Sequence, residues 1–431
     1  MLEFHPYFTN DGSVGLYSEG FDDIYHSSTG ALTEAYEKFV QPIDINWLHT
    51  LDKIKVLDIC YGIGYNTKTF LNFILEKNFS EKFSKILSHA KTDIAPIHTD
   101  KIQSLKELFY NETIYTNNIL NKISITALDN DENLYFLSPY IKTGKNNLKT
   151  QKFDFESKNI EKYLKNKKNA KNPKINKIIN FLIFQKILQY NAEITNNEGI
   201  LRLLSDKKYK DFFEQDLVNL FKFYKIIKKL DGKNILIDNF TAFLHNIYYR
   251  YITKRYKKGL KTIHLVNLDF NYKNGDARTS ILEDKNTYNL VFLDAFTPSK
   301  CPCLWSFDFF KLLYSKLDDN GMILTYSTSS AVRGAMQEAG FYIGNIFNSR
   351  LNKVTGTIAT KKESLIKHSL SEFDLGLLKT TAGIFYRDEN LTGLNEAIKT
   401  LRDSEVKNST RMSTSKYKKL YKNKELPCNT M

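Results

Sequence analysis

The stretch VLDICYGIGYNTKTF, Val56 to Phe70, decides the fold. An apolar run ends in Asp58, Gly62 and Gly64 follow, and helix-like spacing begins at Asn66. A strand turning tightly into a helix is the first unit of an open α/β sheet, and such sheets bind their ligands at the carboxyl ends of the strands. Glycines at that bend permit left-handed backbone and a close approach that a side chain would block. Thr67 stands where a dinucleotide fingerprint has its third glycine. A purely structural turn is the alternative.

Further strand-like runs occur at Ile123–Leu128, Thr262–Val266, Asn289–Asp294 and Met322–Tyr326, after the first at Lys55–Ile59, with helix-like stretches between them. This alternation predicts a parallel sheet covered on both faces, a Rossmann-like α/β fold. Two connections are far longer than an ordinary βα loop, so 76–122 and 140–261 are read as insertions. The second has apolar positions at helical spacing in Ile179–Tyr190, Phe212–Ile227 and Ile235–Tyr251, which predicts a helical subdomain. The resulting division is an N-terminal segment 1–50, a sheet domain 51–360 and an extension 361–431. That extension includes the Ser/Thr/Lys-rich STRMSTSKYKKLYKNK, and its last part is expected to be poorly ordered.

Apolar residues make up 42% and aromatic residues 13% of the 431, a globular balance. The start, MLEFHPYFTNDG, has no basic region followed by an apolar stretch, and no run reaches the roughly 18 apolar residues of a membrane helix. Four scattered cysteines, Cys60, Cys301, Cys303 and Cys428, suit a reducing cytoplasm better than a disulfide framework. Net charge is +14, but residues 141–262 alone hold 28 Lys and Arg against 11 Asp and Glu. A localised basic surface favours a polyanion such as nucleic acid. A solvated, nearly low-complexity insertion is the bland alternative.

The other strand ends carry chemistry too. ALDNDEN places Asp129 or Asp131 where a Rossmann-type fold holds ribose hydroxyls, although Asp and Asn are also helix caps. NYKNGDARTSI follows the Thr262–Val266 run and sets Gly275, Asp276 and Ala277 where a carboxylate accepts from a purine amine. VFLDAFTPSKCPCLW puts Asp294 at the edge of the fourth strand, with Pro298 and Pro302 stopping its continuation. Cys301 and Cys303 form a CxC without a partner pair, which favours a proline-adapted turn over zinc; no metal is expected.

FDDIYHSSTGALTEAYEKFV, DICYGIGYN, GDARTSI, LDAFTPSKCPCLW, LTYSTSSAVRGAMQEAGF and AGIFYRDENL together resemble the methyltransferase domain of the MnmC family of tRNA-modifying enzymes. The resemblance covers about 14–75, 123–139 and 262–390, and Asp294 to Trp305 is its most specific block. It implies a class I S-adenosylmethionine-dependent methyltransferase acting on the primary amine of 5-aminomethyl-(2-thio)uridine at the tRNA wobble position. Asp58, Gly62, Gly64 and Asn66 would then face the donor's amino-acid end, with Tyr25, His26 and Glu34 closing over it. Asp129, Asp131, Gly275, Asp276 and Ala277 would hold its nucleoside. No second glycine-rich βαβ signature occurs before Met431, so the likeness is to the stand-alone form: no flavin is expected, and a separate enzyme would supply the amine. Cys60 departs from the family's first loop glycine, Cys301 from its Asn before Pro302, and the basic insertion is extra.

Under this resemblance Asp294 is the catalytic carboxylate, taking the proton of the amine and aiming its lone pair. Phe296, Pro298 and Trp305 would lie beside the modified uridine, with core packing the alternative for Phe296 and Trp305. Lys254, Arg255, Lys257 and Lys258, interleaved with tyrosines in HNIYYRYITKRYKK, would grip the anticodon arm of tRNA. Two rivals remain. A spermidine synthase-type aminopropyltransferase shares the sheet and the strand-end Asp, but the sequence lacks signs of its N-terminal β-hairpins. A non-enzymatic tRNA-binding protein would keep the basic surface and lose donor binding.

Overall fold

The computed structural model describes residues 4–11, 13–18, 23–25, 30–71, 73–74, 122–131, 134–135, 138, 269–348 and 351–423. Apart from Lys122, both expected insertions lie outside these residues, as do Lys254, Arg255, Lys257 and Lys258. The chain divides into two compact units. One holds Met1–Thr33, Gly62–Ile123 and Asn133–Asp269; the other holds Glu34–Tyr61, Ser124–Glu132 and Phe270–Met431. The expected N-terminal segment is therefore shared between them.

In the first unit β1 (Phe4–Phe8), β2 (Val14–Ser18) and β3 (Asp23–Tyr25) form an antiparallel sheet in that order. Asp11 organises the β1–β2 turn, accepting from Thr9 Oγ1 at 2.8 Å, the Ser13 amide at 2.9 Å and both the amide and hydroxyl of Thr33 at 2.9 Å. Burial alone would raise the Asp11 pKa; these hydrogen bonds outweigh it and hold the carboxyl below its ordinary value. Helical residues 65–71 are tied to β2 through Tyr65, whose hydroxyl donates to the Val14 carbonyl at 2.9 Å and accepts from its amide at 3.1 Å.

The second unit is built on a seven-stranded sheet. Its strands are β4 (Ile54–Ile59), β5 (Ile123–Asp129), β6 (Asp269–Asn274), β7 (Tyr288–Leu293), β8 (Leu317–Thr325), β9 (Tyr342–Asn348) and β10 (Lys353–Thr360), in the order β6-β5-β4-β7-β8-β10-β9. The β4–β7 and β7–β8 pairs are parallel, and β10 runs antiparallel to β8 and β9. Every residue of β7 is buried, as expected for a central strand covered on both faces. The chain leaves β4 toward β5 and β6, then returns on the other side with β7. That reversal between β4 and β7 is the topological switch point at which doubly wound sheets bind ligands.

Four of the five sequence-predicted strands coincide with β4, β5, β7 and β8. The fifth, at Thr262–Val266, lies outside the described residues; the strand that delivers Gly275 and Asp276 is β6. As an edge strand it buries little beyond Phe270, so DFNYKN carries almost no apolar signal. The sheet is mixed rather than purely parallel, because β9 and β10 add an antiparallel pair. The C-terminal extension has regular structure as well. STRMSTSKYKKLYK contains helix Thr414–Lys422, capped by Ser413 and packed through Tyr417 and Tyr421 on Phe373 at ring distances of 5.7 and 4.9 Å. Residues past Asn423 are outside the described ones.

Candidate active site

Three backbone hydrogen bonds lace the carboxyl ends of four neighbouring strands of the second unit. The Tyr61 amide, just past β4, donates to Leu128 of β5 at 2.9 Å; the Gly275 amide past β6 donates to Asp129 at 2.8 Å. The Asp294 amide past β7 donates to Ile59 at 3.2 Å. Sequence reasoning placed a functional residue on each of these ends, and the sheet order brings them to one edge.

Burial separates their roles. Asp58 is 0% exposed, and Asp129 and Asp131 are each 6% exposed, with the Asp131 amide donating to Asp129 Oδ1 at 3.0 Å. Asp294 remains partly exposed, as do Phe296 and Pro298 on the loop that follows. Among these four carboxylates, Asp294 alone is partly exposed rather than buried. Trp305 is 0% exposed: its ring stands edge-on to Tyr326 and its indole NH donates to the Phe296 carbonyl at 2.8 Å. Core packing is thus the description that fits it, and its part is to hold the Phe296 loop in place.

Asp276 caps helix Ala277–Glu283, accepting from the Arg278 amide at 2.8 Å and from the Arg278 guanidinium at 2.6 Å. The same guanidinium donates to Asp388 at 2.6 Å and to the Gly393 carbonyl at 2.9 Å. The Asp276 side chain is nevertheless 42% exposed, and a carboxylate has lone pairs for a further donor. Next to it, a Cβ built on Gly275, φ +135°, would meet nothing within 4 Å. Asp276 is thus an accessible carboxylate at the end of β6, with the buried Asp129 and Asp131 at the adjoining strand end.

Cys60 adopts φ +62°, the left-handed region that disfavours a side chain. This is why a glycine is at home there. Burial raises the Cys60 thiol well above its ordinary pKa, with further upward pressure from Asp129, Asp294, Cys303 and Asp58. Cys60 is therefore a neutral, space-filling thiol amid the strand-end carboxylates. Replacing it by glycine removes a left-handed penalty of about 1–2 kcal/mol and adds unfolded-state freedom of about 0.5–1 kcal/mol. Cys60→Gly is predicted to raise the free energy of unfolding by up to about 1.5 kcal/mol, read as a higher denaturant midpoint at unchanged slope, and a lowered midpoint would refute this.

Of the remaining predicted donor contacts, Tyr25, Gly62, Gly64 and Asn66 fall in the first unit. Gly62 and Gly64 have φ +56° and +78°, as the tight turn requires. Asn66 is buried in the first helical turn, Thr67 is fully buried, and Tyr25 ends β3. His26 is outside the described residues, and Glu34, in the second unit, pairs with Lys38 at 2.9 Å. No cluster of three metal-ligating side chains occurs among the described residues.

Sequence reasoning passed over three features. Arg278 was quoted within GDARTSI without a role, although an Arg two residues after a capping Asp is a signal for such a pair. Cys301 and Cys303 were read as a turn, yet their Sγ atoms lie 3.8 Å apart. The helix at Thr414–Lys422 was announced by a Ser cap and by Tyr417, Leu420 and Tyr421 at helical spacing.

Residues 238–362 match the family model described as S-adenosyl-L-methionine-dependent methyltransferase. This part of the chain, which carries Asp276, Asp294 and Trp305, is similar to methyltransferases of that class. Shorter segments are similar to MnmC proteins, the family the sequence resembles. A 50-residue segment is 46% identical to the tRNA 5-methylaminomethyl-2-thiouridine biosynthesis bifunctional protein MnmC of Burkholderia multivorans, covering 12% of this chain and 8% of that protein. An uncharacterized protein of Methanocaldococcus jannaschii is 30% identical over 155 residues, 34% of this chain and 43% of that one. The chain thus spans less than half the length of either relative. MNMC2 from Aquifex aeolicus has the same fold, with a TM-score of 0.51 at 18% identity over 95% of this chain and 86% of that chain.

Proposed function

We propose that this chain methylates the primary amine of 5-aminomethyl-(2-thio)uridine at the wobble position of tRNA, using S-adenosyl-L-methionine. The observation that carries the proposal is the half-open Asp294 at the switch point of a domain matching the methyltransferase family, beside three buried carboxylates. The printed name of the MnmC relative supplies the substrate class. When bound, the donor supplies an electrophilic methyl group. The chain's own residues do the rest. Asp276 and Gly275 would position the adenosine end, and Asp129 or Asp131 the ribose, while the Gly62–Gly64 turn and Asn66 remain assigned to the amino-acid end.

An alkylammonium has a pKa near that of Lys, about 10.4, so the amine arrives protonated at neutral pH. Asp294 accepts that proton and orients the freed lone pair, and Phe296 and Pro298 flank the base. Bringing the two reactants into line accounts for much of the remaining acceleration. Another enzyme would supply the amine, and a cytoplasmic setting suits both tRNA and the free thiols. No helix among the described residues is long and apolar enough to cross a membrane.

The aminopropyl-transfer rival gains one point, because β1–β3 do form an N-terminal antiparallel sheet. The Asp294–Trp305 block and the family match favour methyl transfer over it. Incubating the chain with S-adenosylmethionine and tRNA that has accumulated aminomethyl-uridine should convert that nucleoside to its N-methyl form by mass spectrometry. Transfer to putrescine from the decarboxylated donor, with tRNA unchanged, would decide for the rival.

A polyanionic partner is further supported by the C-terminal helices. From Lys407 to Asn423 there are six Lys and Arg and no Asp or Glu, all six exposed. The cations Lys418, Lys419 and Lys422 share the face opposite Tyr417 and Tyr421. Replacing these three by Gln is expected to weaken tRNA binding about tenfold at moderate salt and flatten its salt dependence, since each lost phosphate contact lowers the log–log slope by about 0.7–0.9. Filter binding across a salt series checks this; superimposable curves would return the helix to a merely solvated face.

A further inference from the structure

Three of the four cysteines of this chain meet at one place. Cys301 and Cys303 are in contact at 3.8 Å between sulfurs, and Cys60 is close enough to feel the charge of Cys303. The CxC lies in the most specific block of the methyltransferase domain, where a proline between the two cysteines opens the short helix Pro302–Trp305. We propose that Cys301 and Cys303 form an oxidisable dithiol, a modification site at which a small hydroperoxide closes a disulfide across Pro302.

The geometry gives the two sulfurs different chemistry. Either sulfur can donate across the 3.8 Å contact, and the Arg278 guanidinium favours the arrangement in which Cys301 does. That hydrogen bond then lowers the Cys303 pKa, burial opposes it, and the Arg278 charge adds a further downward pull. Cys301, the more exposed of the two, is held well above its ordinary value by that hydrogen bond, with desolvation adding to it, while Cys303 is 8% exposed. The thiolate is the nucleophile, so attack begins at Cys303. Its sulfur attacks one peroxide oxygen, the O–O bond breaks, and the departing hydroxide takes a proton to leave as water. The sulfenic acid so formed lies beside the Cys301 thiol, which attacks its sulfur: the S–S bond forms, the S–O bond breaks, and hydroxide leaves as water with the Cys301 proton. Two thiols are oxidised by two electrons and one hydroperoxide is reduced.

Closure needs the sulfurs to approach from 3.8 Å to about 2.05 Å. The movement falls on a loop with its own constraints. The amides of Lys300 and Cys301 both donate to Thr297 at 2.8 and 3.0 Å, and Phe296 is held by Trp305. The segment from Phe296 to Trp305 is therefore one connected piece, and a bond across Pro302 pulls on the residues beside Asp294. A resulting loss of methyl transfer would rest on the function proposed above, whereas the bond itself does not.

The test separates the two. Cleavage after Lys300 and Lys311 leaves both cysteines in one peptide, CPCLWSFDFFK. The reduced full-length chain is exposed to a few equivalents of hydrogen peroxide, alkylated, digested and weighed. The expected peptide is lighter by two hydrogens, resists alkylation, and regains two alkylatable thiols after dithiothreitol. Cys301→Ser should trap Cys303 as a dimedone-reactive sulfenic acid, Cys303→Ser should slow oxidation of the peptide at least tenfold, and Cys60→Gly should leave the bond intact. A peptide that stays doubly alkylated, a bond joining Cys60 to either partner, or a Cys303→Ser chain oxidised at the wild-type rate would each overturn the proposal. Methyl transfer, measured in parallel, bears only on the consequence.

Discussion

Asp294→Asn should lower turnover about 10²–10⁴-fold, the usual contribution of a positioned general base, while S-adenosylmethionine binding measured by calorimetry stays within about twofold. Asparagine keeps the size of the side chain and can still accept a hydrogen bond, but it cannot take the proton. The defect should also depend on pH. At neutral pH nearly all of the amine is protonated, whereas toward its pKa of about 10 solvent supplies the neutral amine without help. The ratio of wild-type to variant rates should therefore shrink as pH rises. A constant ratio would mean that Asp294 only positions the substrate; a near-normal rate at pH 7 would remove it from the reaction. Its partial exposure beside the buried Asp58, Asp129 and Asp131 is what singles it out.

Legibility in the sequence followed burial. Strands β4, β5, β7 and β8 are central and apolar, so their runs stand out, and the strand-end residues attached to them were locatable by counting. The edge strand β6 is mostly polar because little is packed on it, so its sequence did not stand out as a strand. The backbone strain at Cys60 was visible only as a departure from a family glycine, since φ is not written in composition. The long-range partners were wholly hidden. Arg278 and Asp388 are 110 residues apart in sequence, and only the fold makes them neighbours. Trp305 misled for a related reason: an aromatic in a motif reads equally well as a binding residue or as the peg that holds the binding loop.

Arg278→Met is expected to destabilise the chain by about 3–5 kcal/mol, the range for removing one partner of a buried ion pair. The side chains of Arg278 and Asp388 are 10% and 3% exposed, and their 2.6 Å contact is hydrogen-bonded. Methionine preserves much of the bulk but leaves Asp388 desolvated without its counter-charge. The damage should exceed that of Asp388→Asn, in which an amide can still accept from the guanidinium and the remaining cation keeps Asp276 as partner. Acid should erode the same network with a definite sign. Burial would raise the Asp276 pKa, but hydrogen bonds from the Arg278 side chain and amide, together with its charge, outweigh it and hold the pKa below the ordinary value. A depressed carboxylate stabilises the fold above its unfolded pKa and loses that stabilisation as pH falls through the folded one. The wild-type midpoint should therefore drop more steeply than that of Arg278→Met below about pH 4, where the unfolded chain protonates Asp276 while the folded chain still holds it ionised. Parallel midpoint–pH curves, or a loss under 1 kcal/mol at neutral pH, would show the pair to be peripheral.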